Sequence, residues 1–346
     1  MLTDALPVFV FVIFIGGIFS VSWAGTWGLI KIAYRHSLLD IPNQRSSHSV
    51  PTPRGGGLAL LFAFFLGGGC LAVTGRIDIP HALGLSGCGL GIVLAGFWDD
   101  LYELSAVSRL IVHFCCVFLA VFFFIPGDAL PFFGSHGIAS FFSLFFVVSG
   151  VVWLLNLFNF MDGIDGLAGA ETISVALGGG IILFFTGDTN GYLPLLLVLA
   201  ASTSGFLIWN WYPAKIFMGD ACSAFLGFCF GILALLTSLS SGLNIWAWMI
   251  LLAAFVVDAT VTLGVRIRRG EKIYEAHRSH AYQILARRVG SHMRVTLFYT
   301  GINWLLLFPL ACLSVYKPQY GFSLVLFSYF LLTVFFMVAG AGTTND

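Results

Sequence analysis

Charge is what this 346-residue chain has least of: 9% of its residues are Asp, Glu, Lys or Arg, whereas 59% are hydrophobic. In soluble domains about a quarter of the residues are charged, so the composition excludes an ordinary soluble globular protein. A membrane-spanning helix needs about 20 mostly apolar residues, and such runs fill nearly all of the chain between short polar breaks. The sequence therefore indicates an integral membrane protein.

Other absences narrow this description. The seven cysteines form no CxxC pair and have no histidine at a zinc-site spacing, which argues against zinc and redox motifs. The first thirty residues contain no Lys or Arg, so we expect a retained first span rather than a cleaved signal peptide. There is no internal repeat, and the longest polar stretch, 266–294, is too short to be a domain. We predict one membrane domain over 1–346, with 266–294 as a cytoplasmic loop.

The apolar runs predict an all-α, polytopic fold with about eleven transmembrane helices. The predicted segments are 6–33, 55–74, 81–98, 107–125, 139–159, 167–186, 193–212, 221–239, 244–265, 294–315 and 320–340. With an outside amino terminus, this alternation puts every Lys and Arg except Arg76 and Lys317 on one side. The positive-inside rule makes that side cytoplasmic.

Two carboxylates end the fifth predicted span, in the stretch NLFNFMDGIDGLAG at 156–169. Asp162 and Asp165 lie on one face if the turn is helical. Like charges repel and are costly near lipid, so such a pair is unfavourable for structure alone. Helix capping is the alternative, but it explains only one of the two acids and neither Asn156 nor Asn159.

More carboxylates reach the same side of the membrane. Asp99 and Asp100 end the third span in FWDD, and Asp220 opens the eighth after FMG. Taken singly, an Asp pair at a span end is typical of a solvated terminus, and Asp220 is equally typical of an N-cap. A helix start also favours a bound anion such as a phosphate. The coincidence of these acids on one side predicts a shared cytoplasmic site.

Two loops bring cations and imidazoles to that side. They contribute Arg45, His48 and Arg54 in the first loop and His277, Arg278 and His280 in the last. A plain connector and a surface for anionic lipid headgroups are the alternatives. Together with the carboxylates, these groups suggest a divalent cation and an anionic substrate, and Mg²⁺ binds through one or two carboxylates and substrate phosphates. Phosphoryl transfer, which needs mainly positioning and charge neutralisation, could join a soluble nucleotide to a lipid phosphate there.

The ordered motifs DIPN, PRGGG, FWDD, NLFNFMDGIDGLAG, WNWYPAKIFMGD and AHRSHAYQ resemble those of the polyprenyl-phosphate N-acetylhexosamine-1-phosphate transferases, glycosyltransferase family 4. They are most similar to the bacterial branch that initiates O-antigen synthesis, and the resemblance covers about 40–283. It implies transfer of an N-acetylated sugar-1-phosphate from a UDP-sugar to undecaprenyl phosphate, releasing UMP. The lipid-diphosphosugar would initiate the O-antigen of lipopolysaccharide or a related cell-envelope polysaccharide.

The resemblance also implies Mg²⁺ as cofactor, with Mn²⁺ as the alternative ion. It implies a multi-pass protein of the bacterial inner membrane whose active site faces the cytoplasm. Undecaprenyl phosphate, the UDP-N-acetylated sugar and the bilayer are the expected partners, without nucleic acid. A homodimer, the identity of the sugar and the polysaccharide that receives it are left open.

The resemblance assigns site residues by motif. The expected catalytic residues are Asp99, Asp100, Asp162, Asp165 and His280; the substrate contacts are Asn159, Asn210, Phe217, Arg278, His277 and Arg54; the metal ligands are Asp220 and Asn159. Phe217 would stack on uracil, and Asp99 or Asp100 would activate the lipid phosphate for direct attack on the β-phosphate. Relatives often carry further histidines where Tyr282 and Gln283 stand here.

Three rival classes fit parts of the pattern. A transporter with a cytoplasmic-face acidic site would use intramembrane acids such as Asp258, but most of the acids cluster at one face instead of crossing the midplane. An intramembrane aspartyl protease needs two aspartates deep in facing helices. A CDP-alcohol phosphotransferase needs a longer motif with more aspartates, which this sequence lacks.

Overall fold

The computed structural model of the chain describes residues 2–42, 50–102, 105–125, 138–188, 191–240, 242–272 and 277–343. Two candidates from the first loop, Arg45 and His48, lie outside the described residues. The side chain of Asp100 also lies outside them, so the prediction for this residue stays a prediction.

Within these residues the chain folds into α-helices and one short hairpin. The helices are α1 Leu2–Arg35, α2 Gly57–Val73, α3 Ile79–Tyr102, α4 Ala106–Phe124, α5 Ile138–Met161, α6 Leu167–Thr186, α7 Tyr192–Asn210, α8 Asp220–Ser240, α9 Ile245–Leu251, α10 Ala253–Arg268, α11 Ala281–Val289, α12 His292–Ile302, α13 Phe308–Tyr316 and α14 Gly321–Ala339. The hairpin pairs β1, Leu39–Asp40, with β2, Thr52–Pro53, in antiparallel register.

A helix occupies each of the eleven predicted segments, so the predicted helical, polytopic membrane fold is confirmed. Eight helices of the described chain are long and apolar enough to cross a membrane, and α9 with α10 makes a ninth if that pair, bent by 68°, is one span. The remaining two, α2 and residues 106–122 of α4, are apolar but shorter. The figure of about eleven crossings therefore stays a prediction.

Two predicted spans are interrupted in the structure. The segment 244–265 breaks at Leu252 between α9 and α10. The segment 294–315 contains a π-helical turn, Asn303–Leu307, between α12 and α13. Pro309 lies two residues after that turn. Because proline has no N–H and its ring crowds the preceding turn, the regular hydrogen-bond ladder cannot continue there.

Helix α8 lies at the centre of the bundle. Its residues 221–237 are all buried, and α8 packs against both α3 and α5. Gly227 lets α8 approach α5 closely, because a Cβ at this position would lie 2.6 Å from the carbonyl oxygen of Leu154 and from Cα of Leu155. Since α5 and α8 run antiparallel at this contact, the carboxyl end of α5 comes to the amino end of α8. The motifs that end α5 and begin α8 thus meet at one edge of the bundle.

The close contact between α5 and α8 can be tested by adding one methyl group. We expect Gly227→Ala to destabilise the protein by about 1–3 kcal/mol, because overpacking forces the two backbones apart. Gly150→Ala is the matched control, since an added Cβ at this α5 glycine meets nothing within 4 Å. Thermal unfolding in detergent would measure both variants, and equal melting temperatures would contradict the close approach.

Candidate functional site

An alternating chain of charges joins the segment before α2 to α3, α4 and α8. Nη2 of Arg54 donates to Oδ1 of Asp220 at 2.7 Å. Nη1 of Arg109 donates to Oδ2 of Asp99 at 2.6 Å and lies 3.9 Å from Oδ2 of Asp220. Asp99 and Asp220, which are 121 positions apart in the sequence, thus share one cation. The side chain of Asp99 is only 9% exposed, so this pairing offsets the cost of burying its charge.

Asp162 adjoins this charge chain from the segment that follows α5. Burial raises the pKa of Asp162 well above its usual range. The nearby carboxylates of Asp220 and Asp165 raise it further, whereas the Arg54 guanidinium lowers it. A carboxyl group with a raised pKa near a cluster of charges is a candidate for proton transfer.

Backbone hydrogen bonds tie the PRGGG segment to the FMGD segment. The N–H groups of Gly56 and Gly57 donate to the carbonyl oxygens of Phe217 and Met218 at 2.9 and 3.0 Å, and Phe217 N–H donates to the carbonyl oxygen of Pro53 at 2.8 Å. A Cβ at Gly57 would lie 2.8 Å from the carbonyl oxygen of Met218. The glycine run therefore permits the close approach that sets Arg54 beside the start of α8.

Asn210 connects two backbone segments of the site. Its Oδ1 accepts from the N–H of Gly166 at 3.1 Å, and its Nδ2 donates to the carbonyl oxygen of Ile216 at 2.9 Å. The side chain is buried, at 3% exposure. Asn210 thus holds the aspartate segment against the segment before α8, and its predicted contact with substrate stays a prediction.

A cavity of about 510 Å³ opens beside these segments. Its lining comprises Val50, Thr52, Asp165, Tyr212, Pro213, Ala214, Phe217, Arg278, Gln283, Ala286, Arg287, Gly290, Ser291 and His292. Three of the predicted site residues, Asp165, Phe217 and Arg278, therefore face one space. The cavity combines aromatic rings with two guanidinium groups, a lining suited to a planar, anionic ligand.

Asp258 in α10 fixes the loop that supplies Arg278 to the cavity. It is fully buried, and its carboxylate accepts from the N–H groups of Ala281 and Tyr282 at 2.8 and 3.0 Å and from the hydroxyl of Tyr299 at 2.6 Å. The two backbone donors belong to the first turn of α11, where N–H groups lack partners in the helix itself. Asp258 thus anchors α11. This structural role explains why an acid lies inside an apolar helix, the feature that suggested a transporter.

The two histidines of the last loop, His277 and His280, lie away from the cavity lining. His280 is 2% exposed, its ring lies 4.8 Å from that of His277, and its Nδ1 lies 3.9 Å from Oδ1 of Asp258. His277 meets the hydroxyl of Ser279 through Nδ1 at 3.0 Å. Among the described residues neither histidine lines the cavity, whereas Arg278 between them does.

Tyr282 follows His280 in the last loop, and it packs against the aspartate segment. Its hydroxyl donates to the carbonyl oxygen of Phe160 at 2.9 Å. A Cβ at Gly163 would collide with that hydroxyl, so the first glycine of MDGIDG permits the contact. Tyr282 therefore couples the last loop to the end of α5.

Four residues of this region were not predicted from the sequence as site residues: Arg109, Tyr212, Arg287 and His292. Arg109 was counted only as a cytoplasmic charge, although it lies one turn into the helix that follows FWDD. Arg287 and His292 belong to the predicted loop 266–294 but lie beyond its recognisable motif. Their positions in the cavity depend on the docking of α11 and α12, which no local pattern reveals.

The expected metal ion must be compared with the oxygen donors that are present. Among the described residues no group of three or more His, Cys, Asp or Glu side chains could hold a metal. Mg²⁺ needs fewer protein ligands, since one or two carboxylates together with substrate phosphates suffice. Asp220 offers one such carboxylate, and the guanidinium groups of Arg54 and Arg109 approach its two oxygens. A metal ion at this position would share or replace these contacts. Asn159 is half-buried, and its backbone carbonyl oxygen accepts from the N–H of Asp162 at 3.3 Å.

The buried position of His280 predicts how stability depends on pH. Burial and the Arg266 guanidinium lower the pKa of His280 to about 3. Below pH 6.5 the unfolded chain binds a proton at this site and the folded chain does not, so the free energy of unfolding falls as pH decreases. The loss at pH 5 is roughly 2 kcal/mol, at about 1.4 kcal/mol per pKa unit.

Thermal unfolding between pH 7 and pH 5 measures this effect. We expect His280→Gln to lose less stability on acidification than the parent protein. His36→Gln, at the exposed end of α1, is the matched control and should follow the parent curve. An identical loss in all three proteins would show that His280 binds its proton when folded.

Comparisons with known proteins identify the family of the chain. The model of glycosyl transferase family 4 matches residues 82–238, a range that contains Asp99, Asp162, Asp165 and Asp220. A probable undecaprenyl-phosphate N-acetylglucosaminyl 1-phosphate transferase of Bacillus subtilis (strain 168) is 30% identical over 333 residues, 91% of this chain and 88% of the relative.

Two further relatives come from other bacteria. The decaprenyl-phosphate N-acetylglucosaminephosphotransferase of Mycobacterium leprae (strain TN) is 28% identical over 78% of this chain and 75% of the relative. The undecaprenyl-phosphate alpha-N-acetylglucosaminyl 1-phosphate transferase of Escherichia coli (strain K12) is 27% identical over 74% of this chain and 71% of the relative. Because the Bacillus relative is 30% identical over most of both proteins, the chain belongs to glycosyl transferase family 4 and is an enzyme of the transferase class.

Proposed function

We propose that the protein transfers an N-acetylated sugar-1-phosphate from a UDP-sugar to undecaprenyl phosphate, releasing UMP. The observation that carries this proposal is the charge chain of Arg54, Asp220, Arg109 and Asp99 next to a cavity lined by aromatic and guanidinium groups. The names of the three relatives make N-acetylglucosamine the first sugar to test. Because the chain is an enzyme, the transporter alternative no longer explains its acids.

The cavity suits the nucleotide-sugar donor. Its volume of about 510 Å³ is within the range of small-molecule sites, roughly 300–1,000 Å³. Phe217 and Tyr212 offer ring faces or edges to a base, and Arg278 and Arg287 offer guanidinium groups to a diphosphate. The donor would therefore lie with its diphosphate towards α11 and its base near Phe217.

The charge chain suits the lipid acceptor. The last turns of α3 expose apolar side chains outward, with Leu94 at 58%, Phe97 at 43% and Trp98 at 58%. These side chains provide a lipid-facing approach to Asp99, which follows them directly. Arg109 pairs with Asp99 and could pair with a phosphate that arrives from the bilayer.

In the proposed reaction an oxygen of the lipid phosphate attacks the β-phosphorus of the UDP-sugar. A new P–O bond forms, the bond from the β-phosphorus to the bridging oxygen breaks, and UMP leaves with that oxygen. Among the described carboxylates, Asp162 is the best candidate to take a proton from the acceptor, because it adjoins the charge chain whereas the carboxylate of Asp99 is paired with Arg109. No covalent enzyme intermediate is formed.

The proposal includes a metal ion and an orientation. Mg²⁺, or Mn²⁺ as the alternative, fits the oxygen donors of Asp220 and Asn159 and would neutralise the diphosphate. If α2 and α4 also cross the bilayer, the crossings number eleven and the site faces the cytoplasm of a bacterial inner membrane. The lipid-diphosphosugar would then initiate O-antigen or a related cell-envelope polysaccharide.

The purified protein tests this directly. We expect UMP release when undecaprenyl phosphate, Mg²⁺ and one member of a panel of UDP-sugars are present together, and no release when any of the three is omitted. Asp220→Asn should lower kcat at least 100-fold while the protein keeps its melting temperature. Failure of the parent protein with every UDP-sugar, or full activity of Asp220→Asn, would contradict the proposal or the role of Asp220.

Phe217 tests the position of the base. We expect Phe217→Ala to weaken binding of the UDP-sugar by about 1–3 kcal/mol, the contribution of stacking between an aromatic side chain and a base. Phe185→Ala is the control, because Phe185 is 80% exposed at the far end of α6. Isothermal titration with UMP measures both, and equal affinities would place the base elsewhere.

A further inference from the structure

The contacts of Asp165 separate it from the other predicted catalytic acids. Its Oδ2 accepts from the N–H of Ala214 at 3.0 Å, and its Oδ1 lies 3.3 Å from Nδ1 of His292. Its carbonyl oxygen accepts from the hydroxyl of Thr296 at 3.0 Å. The residue is 8% exposed. Asp165 thus connects the segment after α5 to the segment before α8 and to the start of α12.

His292 is held at the edge of the cavity by two neighbours. It is the first residue of α12, after the N-cap Ser291. Its ring makes an edge-to-face contact with Tyr212, with ring centres 5.6 Å apart. Nδ1 faces Asp165, and within the described part of the chain no protein group hydrogen-bonds Nε2. Since His292 also lines the cavity, Nε2 is the ring nitrogen left for a ligand.

The position of the proton on His292 decides what Nε2 can do. Nδ1 lies 3.4 Å from the N–H of Asp165 and 3.3 Å from its carboxylate oxygen. One nitrogen cannot accept from the first and donate to the second at the same time. The negative charge of the carboxylate favours a proton on Nδ1, which leaves Nε2 as an acceptor; a second proton would make it a donor to an anion.

We infer that Asp165 and His292 work as a pair at the donor cavity. His292 contacts the UDP-sugar through Nε2, and Asp165 is a positioning residue that orients its ring and selects its tautomer. Arg278 and Arg287 line the same cavity, so the group that His292 meets belongs to an anionic ligand. This inference rests on the proposed function and moves Asp165 from the reacting centre to the donor-binding side.

Steady-state kinetics with saturating undecaprenyl phosphate test the pair. We expect His292→Ala to raise KM for the UDP-sugar about tenfold or more, with kcat changed less than threefold and KM for the lipid unchanged. His292→Gln, whose amide reaches towards the position of Nε2, should restore part of the lost affinity.

Asp165→Asn tests the positioning role. Its amide oxygen can still accept from Ala214, but its amide N–H would donate to Nδ1 and move the ring proton to Nε2. We expect a rise in KM for the donor similar to that of His292→Ala. The double variant should be no worse than either single variant, because Asp165 acts through His292.

A second histidine–aspartate pair supplies matched controls. His81 lies 3.7 Å from Asp78 through Nδ1, near the end of α3 opposite to Asp99. Neither His81→Ala nor Asp78→Asn should change KM for the donor. Titration of each protein with UMP, together with its melting temperature, separates a lost contact from a misfolded protein.

The outcomes are distinct. If the parent protein releases no UMP from any UDP-sugar, the proposed function fails. If the parent is active and the His292 variants keep the parent KM and UMP affinity, the inference is overturned. It is also overturned if the effects of Asp165→Asn and His292→Ala multiply in the double variant, or if Asp165→Asn lowers kcat as strongly as Asp220→Asn does.

Discussion

Carboxylates gathered at a membrane edge need positive charge close by, and the structure of this enzyme depends on that constraint. Asp99, Asp162 and Asp220 come from three different parts of the chain, and their mutual repulsion in a weakly polar environment would separate them. Arg109 faces Asp99 and Asp220, and Arg54 faces the other oxygen of Asp220. In the proposed reaction the same guanidinium groups that let the acids meet would also face a phosphate.

A second constraint is that the loop segments of the site be held in place without burying unpaired backbone groups. The PRGGG and FMGD segments satisfy each other's backbone groups directly. Asn210 makes hydrogen bonds to two loop segments, at Gly166 and Ile216. Asp258 accepts from two N–H groups in the first turn of α11. These buried polar residues bring the charged groups to their positions and keep the cavity open between the loops.

Much of the fold could be predicted because a bilayer demands long apolar segments. Every predicted segment contains a helix, with bounds that differ by a few residues. The bend at Leu252 could not be predicted, since an ordinary apolar residue stands at the break. The short helix α11 was also missed: its polar residues resemble a loop until Asp258, from another helix, supplies acceptors for its first turn.

The sequence by itself determined that this is a helical membrane protein and which motifs carry its carboxylates, arginines and histidines, because composition and local spacing contain that information. Only the tertiary structure decided which of these groups meet. It placed Arg109 between Asp99 and Asp220, directed Asp165 towards His292, and buried His280 behind Arg278. Such pairings depend on helix packing and loop docking between distant parts of the chain, and no pattern along one segment specifies them.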